Sequence, residues 1–72
     1  MSKVAKVIEL VGTSSSGLED AVQVAVNEAA KSVRNITGVE ITNMTAHVNN
    51  NQVTEWRATV KVAFGIEGNA SS

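Results

Sequence analysis

Val7-Ile8-Glu9-Leu10-Val11-Gly12-Thr13-Ser14-Ser15-Ser16-Gly17-Leu18-Glu19-Asp20-Ala21-Val22 writes a strand, a loop and a helix start into one continuous stretch. Lys3 to Val11 is rich in β-branched residues and stops at Gly12, which predicts a first strand. Val4, Lys6, Ile8 and Leu10 share one face of it, and Ala5, Val7, Glu9 and Val11 the other. Both faces are largely apolar, as in a strand covered on both sides. The small residues from Gly12 to Gly17 read as a loop. Ser16 followed by Glu19 has the spacing of a capping box and opens a helix at Gly17. Glu19 and Asp20 place negative charge at the positive end of that helix.

Strand, glycine-bracketed loop and helix N-terminus also describe a phosphate-binding loop. That chemistry needs a lysine directly after the second glycine, then Ser or Thr for magnesium. Leu18 and Glu19 occupy those places, and a carboxylate there repels phosphate. The stretch therefore reads as a structural strand-to-helix connection, and no dinucleotide-type G-x-G-x-x-G motif accompanies it.

Downstream, Leu18, Ala21, Val22, Ala25, Val26, Ala29 and Val33 recur at helical spacing and form one apolar stripe. The helix runs toward Arg34, with Gly38 as its terminator. Val39–Val48 and Val53–Phe64 are two further strands, joined by the turn Asn49-Asn50-Asn51-Gln52, because Asn accepts positive φ. Val39, Ile41, Asn43, Thr45 and His47 share a face of the second strand. In the third, Thr54, Trp56, Ala58, Val60, Val62 and Phe64 face the helix, and Val53, Glu55, Arg57, Thr59, Lys61 and Ala63 face away. The order is βαββ, an α+β domain. Its simplest form is a three-stranded antiparallel sheet, order 1-3-2, against one helix. The uncovered face carries Val7, Val11, Val39, Ile41, Val53 and Ala63, which calls for a partner subunit. One domain spans 1–72, with an ordered core from about 3 to 66 and a flexible tail over 67–72.

Composition narrows the function classes. At 72 residues without cysteine, neither disulfides nor thiolate metal sites supply stability, and self-assembly is the expected remedy. The net charge is −1 and the six Lys and Arg residues are scattered, so no nucleic-acid stripe exists. No run approaches a membrane span, and the N-terminus lacks the pattern of a signal peptide. A cytoplasmic protein is the expectation.

No constellation supports catalysis. His47 is the sole histidine and has neither a cysteine nor a serine elbow to activate. Glu9, Glu40 and Glu55 could converge on a hard cation in an assembly, but pairing with Lys6, Lys61 or Arg57 across strands is the simpler reading. Trp56 shares a face with Val60, Val62 and Phe64, and reads as a core or rim anchor.

Lys6-Val7-Ile8-Glu9-Leu10-Val11-Gly12-Thr13-Ser14, running into Gly17-Leu18-Glu19-Asp20-Ala21-Val22, resembles the dodecins, small flavin-binding proteins of bacteria and archaea. The likeness continues through the alanine-rich helix to Arg34 and through Val60-Lys61-Val62-Ala63-Phe64, covering about residues 3 to 68. The resemblance implies a hollow homododecamer that binds and stores flavin, riboflavin or FMN, with helices outside and no enzymatic activity. It further implies a tryptophan at the start of the second strand that stacks on the flavin. An arginine farther along that strand and a glutamine on the third complete the implied site.

At the matching positions this chain carries Gly38, Thr45 and Arg57. Stacking on an aromatic ring contributes about 1–3 kcal/mol per base-sized ring, and Gly38 offers no ring. Arg57 only donates hydrogen bonds, so it cannot copy glutamine's paired donor and acceptor. The expectation is a dodecin-like shell with an altered flavin site. The alternative is a shell that takes another small molecule or a cation such as calcium, or acts structurally.

Overall fold

The computed structural model describes residues 4–65, which form β1 (Ala5–Ser14), α1 (Leu18–Ala30), β2 (Ile36–Asn49) and β3 (Gln52–Gly65). The strands make one antiparallel sheet in order β1-β3-β2, and α1 packs on one face of it. The expected βαββ order and 1-3-2 sheet are both present. Lys3, residue 66 and the expected tail over 67–72 lie outside the described residues. Among the described residues no helix is long and apolar enough to cross a membrane.

β1 continues past its expected end at Val11. Gly12, Thr13 and Ser14 are strand residues opposite Ala58, Arg57 and Trp56, so half of the expected loop belongs to the sheet. β3 extends far enough to offer ladder partners there, and backbone groups with partners available take them.

The helix buries Ala21, Ala25 and Ala29 against Ala58, Val60 and Val62 of β3. Ile8, Leu10, Leu18, Val22, Val33, Ile36 and Trp56 pack around this cluster, which confirms Trp56 as an anchor on the helix side. Gly12 sets the spacing between layers. A β-carbon there would collide with the Ala21 carbonyl and stand 3.1 Å from the Ala25 methyl.

The expected capping box does not form. Gly17 is the N-cap residue, and no side chain caps the helix. The Ser14 hydroxyl does the local work instead, donating to Asp20 Oδ2 at 2.6 Å and accepting the Ser16 N–H at 2.9 Å. Ser16 lies one residue too early to serve. At the other end α1 stops at Ala30, short of Arg34, and Ser32 and Val33 close the last turn on the Ala29 carbonyl. The chain reverses at Asn35, whose φ is 58°, and the Asn35 carbonyl accepts the Gly65 N–H. Gly38 is therefore a strand residue, not the helix terminator. Asn accepts the left-handed conformation that such a reversal needs.

The β2–β3 turn is tighter than expected. Only Asn50 and Asn51 lie between the strands, with φ of 52° and 64°, the paired positive values of a two-residue type I′ hairpin.

Three register shifts interrupt the β2–β3 ladder. In each the residue without a partner is a threonine whose hydroxyl donates to a carbonyl on the opposite strand. Thr37 bonds Ala63, Thr42 bonds Thr59 and Thr54 bonds His47, at 3.2–3.4 Å. A β-bulge leaves one residue unpaired and bends the strand; here the unpaired residue is tied back through its side chain.

The Thr42 bulge corrects the expected face of β2. Directly opposed residues share a face. Val39 and Ile41 oppose the buried Val62 and Val60, so they lie on the helix side of the sheet. Beyond Thr42, Asn43, Thr45 and His47 oppose Thr59, Arg57 and Glu55 on the helix-free side. The set read as one face is thus divided between two.

Much apolar surface remains uncovered. Val7 and Val11 on the helix-free side are more than half exposed, as is Met44 beside the helix. The chain exposes 5269 Å², against about 4,200 Å² for a compact monomer of this mass. Its radius of gyration is 14.9 Å, where a compact chain of this length has about 11 Å. The single chain is thus more extended and more exposed than a compact monomer of its size.

Candidate ligand-binding face

The helix-free face is built of rows that cross the sheet from β1 through β3 to β2. The first row is Val7, Ala63 and Gly38; the next is Glu9, Lys61 and Glu40. Then come Val11, Thr59 and Asn43, followed by Thr13, Arg57 and Thr45. Glu55 and His47 continue the face toward the hairpin. The face changes from apolar, through charged, to hydrogen-bonding.

Of the three positions singled out in the sequence, Thr45 and Arg57 are direct register partners. Gly38 is opposite Ala63, on the same face. Ala63 lies six positions along β3 from Arg57, a distance of about 20 Å along the strand. A single chain therefore brings two of the three together. No neighbour stands within 4 Å of where a Gly38 side chain would begin.

The expected cross-strand ion pairs are not formed among the described residues, where the carboxylates meet basic residues across strands in register alone. Lys61 lies between Glu9 and Glu40 on neighbouring strands. Arg57 meets Glu55 at 3.5 Å, an exposed pair along β3. Such pairs add about 0–1 kcal/mol. Among the described residues, no group of three or more His, Asp or Glu side chains gathers around a metal position.

Two depressions mark this face. A broad one of about 700 Å³ surrounds Lys61 and is lined by Val7, Glu9, Gly38, Glu40 and Ala63. A small one of about 100 Å³ lies at the hairpin end, between Thr45, His47, Glu55 and Arg57. Thr13, the third member of the Arg57 row, is missed by a sequence reading that treats it as loop. Its β-branched side chain, directly after a strand, was the available signal.

A dodecin family model matches residues 4–67. The dodecin of Thermus thermophilus is 37% identical over 67 residues, covering 93% of this chain and 97% of that protein. A solved Thermus thermophilus structure superposes with a TM-score of 0.88 at 35% identity, covering 94% of this chain and all of the other. A calcium dodecin from Mycobacterium tuberculosis superposes at 0.76 with 28% identity, covering 93% and 96%.

Proposed function

The chain belongs to the dodecin family, and on that premise we propose that it is a non-enzymatic, homododecameric protein that binds and stores a small ligand, with the family's flavin site altered at Gly38, Thr45 and Arg57. The observation that carries this reading is the common placement of those residues on the helix-free, partly apolar sheet face. Covering that face with further copies buries the exposed valines. It also lets positions about 20 Å apart in one subunit meet across a subunit contact.

The substitutions bear on what is held. Gly38 supplies no stacking surface, so riboflavin or FMN loses the largest apolar contact of the family site. Arg57 contributes a cation that only donates hydrogen bonds. The ligand of this shell is accordingly chosen by charge more than by stacking.

The calcium dodecin among the solved relatives raises a second reading, uptake of a cation such as calcium. Glu9 and Glu40 are the carboxylates that would serve it across subunits. Lys61 lies between them in the subunit and opposes a cation there. The flavin-derived reading stands ahead for that reason.

Native mass spectrometry of protein purified without added ligand tests the proposal. The expected mass is near twelve times 7.5 kDa, plus that of any retained ligand. A monomer or dimer at working concentration defeats the assembly. Riboflavin added at micromolar concentration is expected to keep most of its fluorescence, and strong quenching would show the flavin site to be intact.

A further inference from the structure

We propose that the hairpin end of the helix-free face binds an oxyanion, a phosphate group above all, through Arg57 and the flanking hydroxyls of Thr13 and Thr45. The inference rests on the reading of this face as the ligand-binding one and names the class of group it takes.

The sheet register carries the argument. Thr13 and Thr45 are the two cross-strand partners of Arg57, so the row sets an arginine between two hydroxyl-bearing residues on one face. Guanidinium presents its donors in a fixed fork that matches phosphate or carboxylate oxygens in pairs. Threonine hydroxyls can donate beside it. His47 lies one row farther on and, with Thr45, Glu55 and Arg57, lines the small depression at the hairpin end.

Arg57 is also left with donors to offer. Among the described residues its side-chain partner is Glu55 at 3.5 Å, with both side chains substantially exposed. Strong charge-assisted bonds run at about 2.7–2.9 Å, so Glu55 holds the guanidinium loosely. Glu55 then acts as a competitor that an incoming oxyanion displaces. The broad depression around Lys61 is a poorer place for an anion, because Glu9 and Glu40 stand on either side of that lysine. Along β3, Lys61 is four residues from Arg57, about 13 Å, beyond the screening distance of about 8 Å at physiological salt. Those carboxylates therefore bear little on the Arg57 row.

The group could arrive as free phosphate or as the phosphoryl end of a larger molecule. The test uses inorganic phosphate, FMN and riboflavin with the assembled protein. Phosphate at millimolar concentration is expected to shift the NMR signals of Arg57, Thr13 and Thr45, weakening with added salt. Arg57→Gln should reduce that affinity roughly tenfold or more, and Glu55→Gln should raise it several-fold. If the phosphoryl end of a flavin is the source, FMN binds measurably tighter than riboflavin, and Arg57→Gln erases the difference. Free phosphate as the source leaves FMN and riboflavin equal while phosphate alone still shifts the row. The site is overturned if phosphate moves none of these signals, or if Arg57→Gln binds it as the wild type does. Native mass of each variant separates the two levels: a mass short of twelve chains refutes the assembly, whereas the phosphate titration decides the site.

Discussion

Gly12 lies directly beneath Ala21, and the Ala21 carbonyl oxygen fills the space that a side chain at residue 12 would need. The helix can approach β1 this closely because its inner face is alanine at 21, 25 and 29. Gly12→Ala is expected to cost at least the roughly 1–3 kcal/mol typical of an overpacked core, since the obstacle is backbone and cannot rotate away. Urea unfolding at fixed protein concentration measures this. An unchanged midpoint would mean that the layers have room to separate.

The Ser14–Asp20 contact separates two accounts of the helix start. Ser14→Ala removes a bond to Asp20 and the acceptor for the Ser16 N–H, and should cost about 0.5–1.5 kcal/mol. Ser16→Ala should stay within about 0.5 kcal/mol of wild type, because Ser16 does not cap α1. The reverse ranking in thermal unfolding would restore the capping box.

At the hairpin, Asn51 holds a φ of 64°. Asn51→Val should lose about 1–2 kcal/mol, the cost of a left-handed residue with an ordinary side chain. Asn51→Gly completes the preferred Asn-Gly pair of a type I′ turn and should match or exceed the wild type. Equal loss in both variants would point to an Asn51 side-chain role that the turn geometry does not include.

Gly38→Trp combined with Arg57→Gln should create flavin binding where the wild type has little. No atom stands within 4 Å of the first side-chain position at Gly38, so the subunit accepts the ring. Riboflavin fluorescence reports the result, because a stacked flavin is quenched. A double variant that keeps its assembly mass and leaves riboflavin bright would refute the assignment of these positions.

The strand order and the helix stripe were open to reading because they rest on periodicity, which any residue of the right type satisfies. The alternation around Val60 and Val62 and the three- and four-residue spacing of Ala21, Ala25 and Ala29 are of that kind. The end of β1 was not, because Thr13 and Ser14 look like loop until a partner strand is known to reach them. Ser16 and Glu19 had the right spacing for a cap but were displaced by one residue when Gly17 took the N-cap position. The division of β2 was the hardest to foresee. Nothing in Ile41-Thr42-Asn43 announces that one residue will be left unpaired, and the signal is a threonine hydroxyl finding a carbonyl on another strand. Thr45 and Arg57 could be singled out by resemblance, but their pairing follows from a register that only the folded sheet discloses.

The Thr42 bulge gives β2 something like a reading frame. Residues before it and after it point to opposite sides only because one unpaired residue intervenes. Pairing Thr42 into the ladder opposite Thr59 would turn every downstream side chain over, sending Thr45 and His47 toward the helix and Met44 and Ala46 away from it, whereas deleting Thr42 would leave each of them on its present side. Substitution along this strand changes one side chain at a time, but drawing the one extra residue into the ladder would turn the helix-free face inside out.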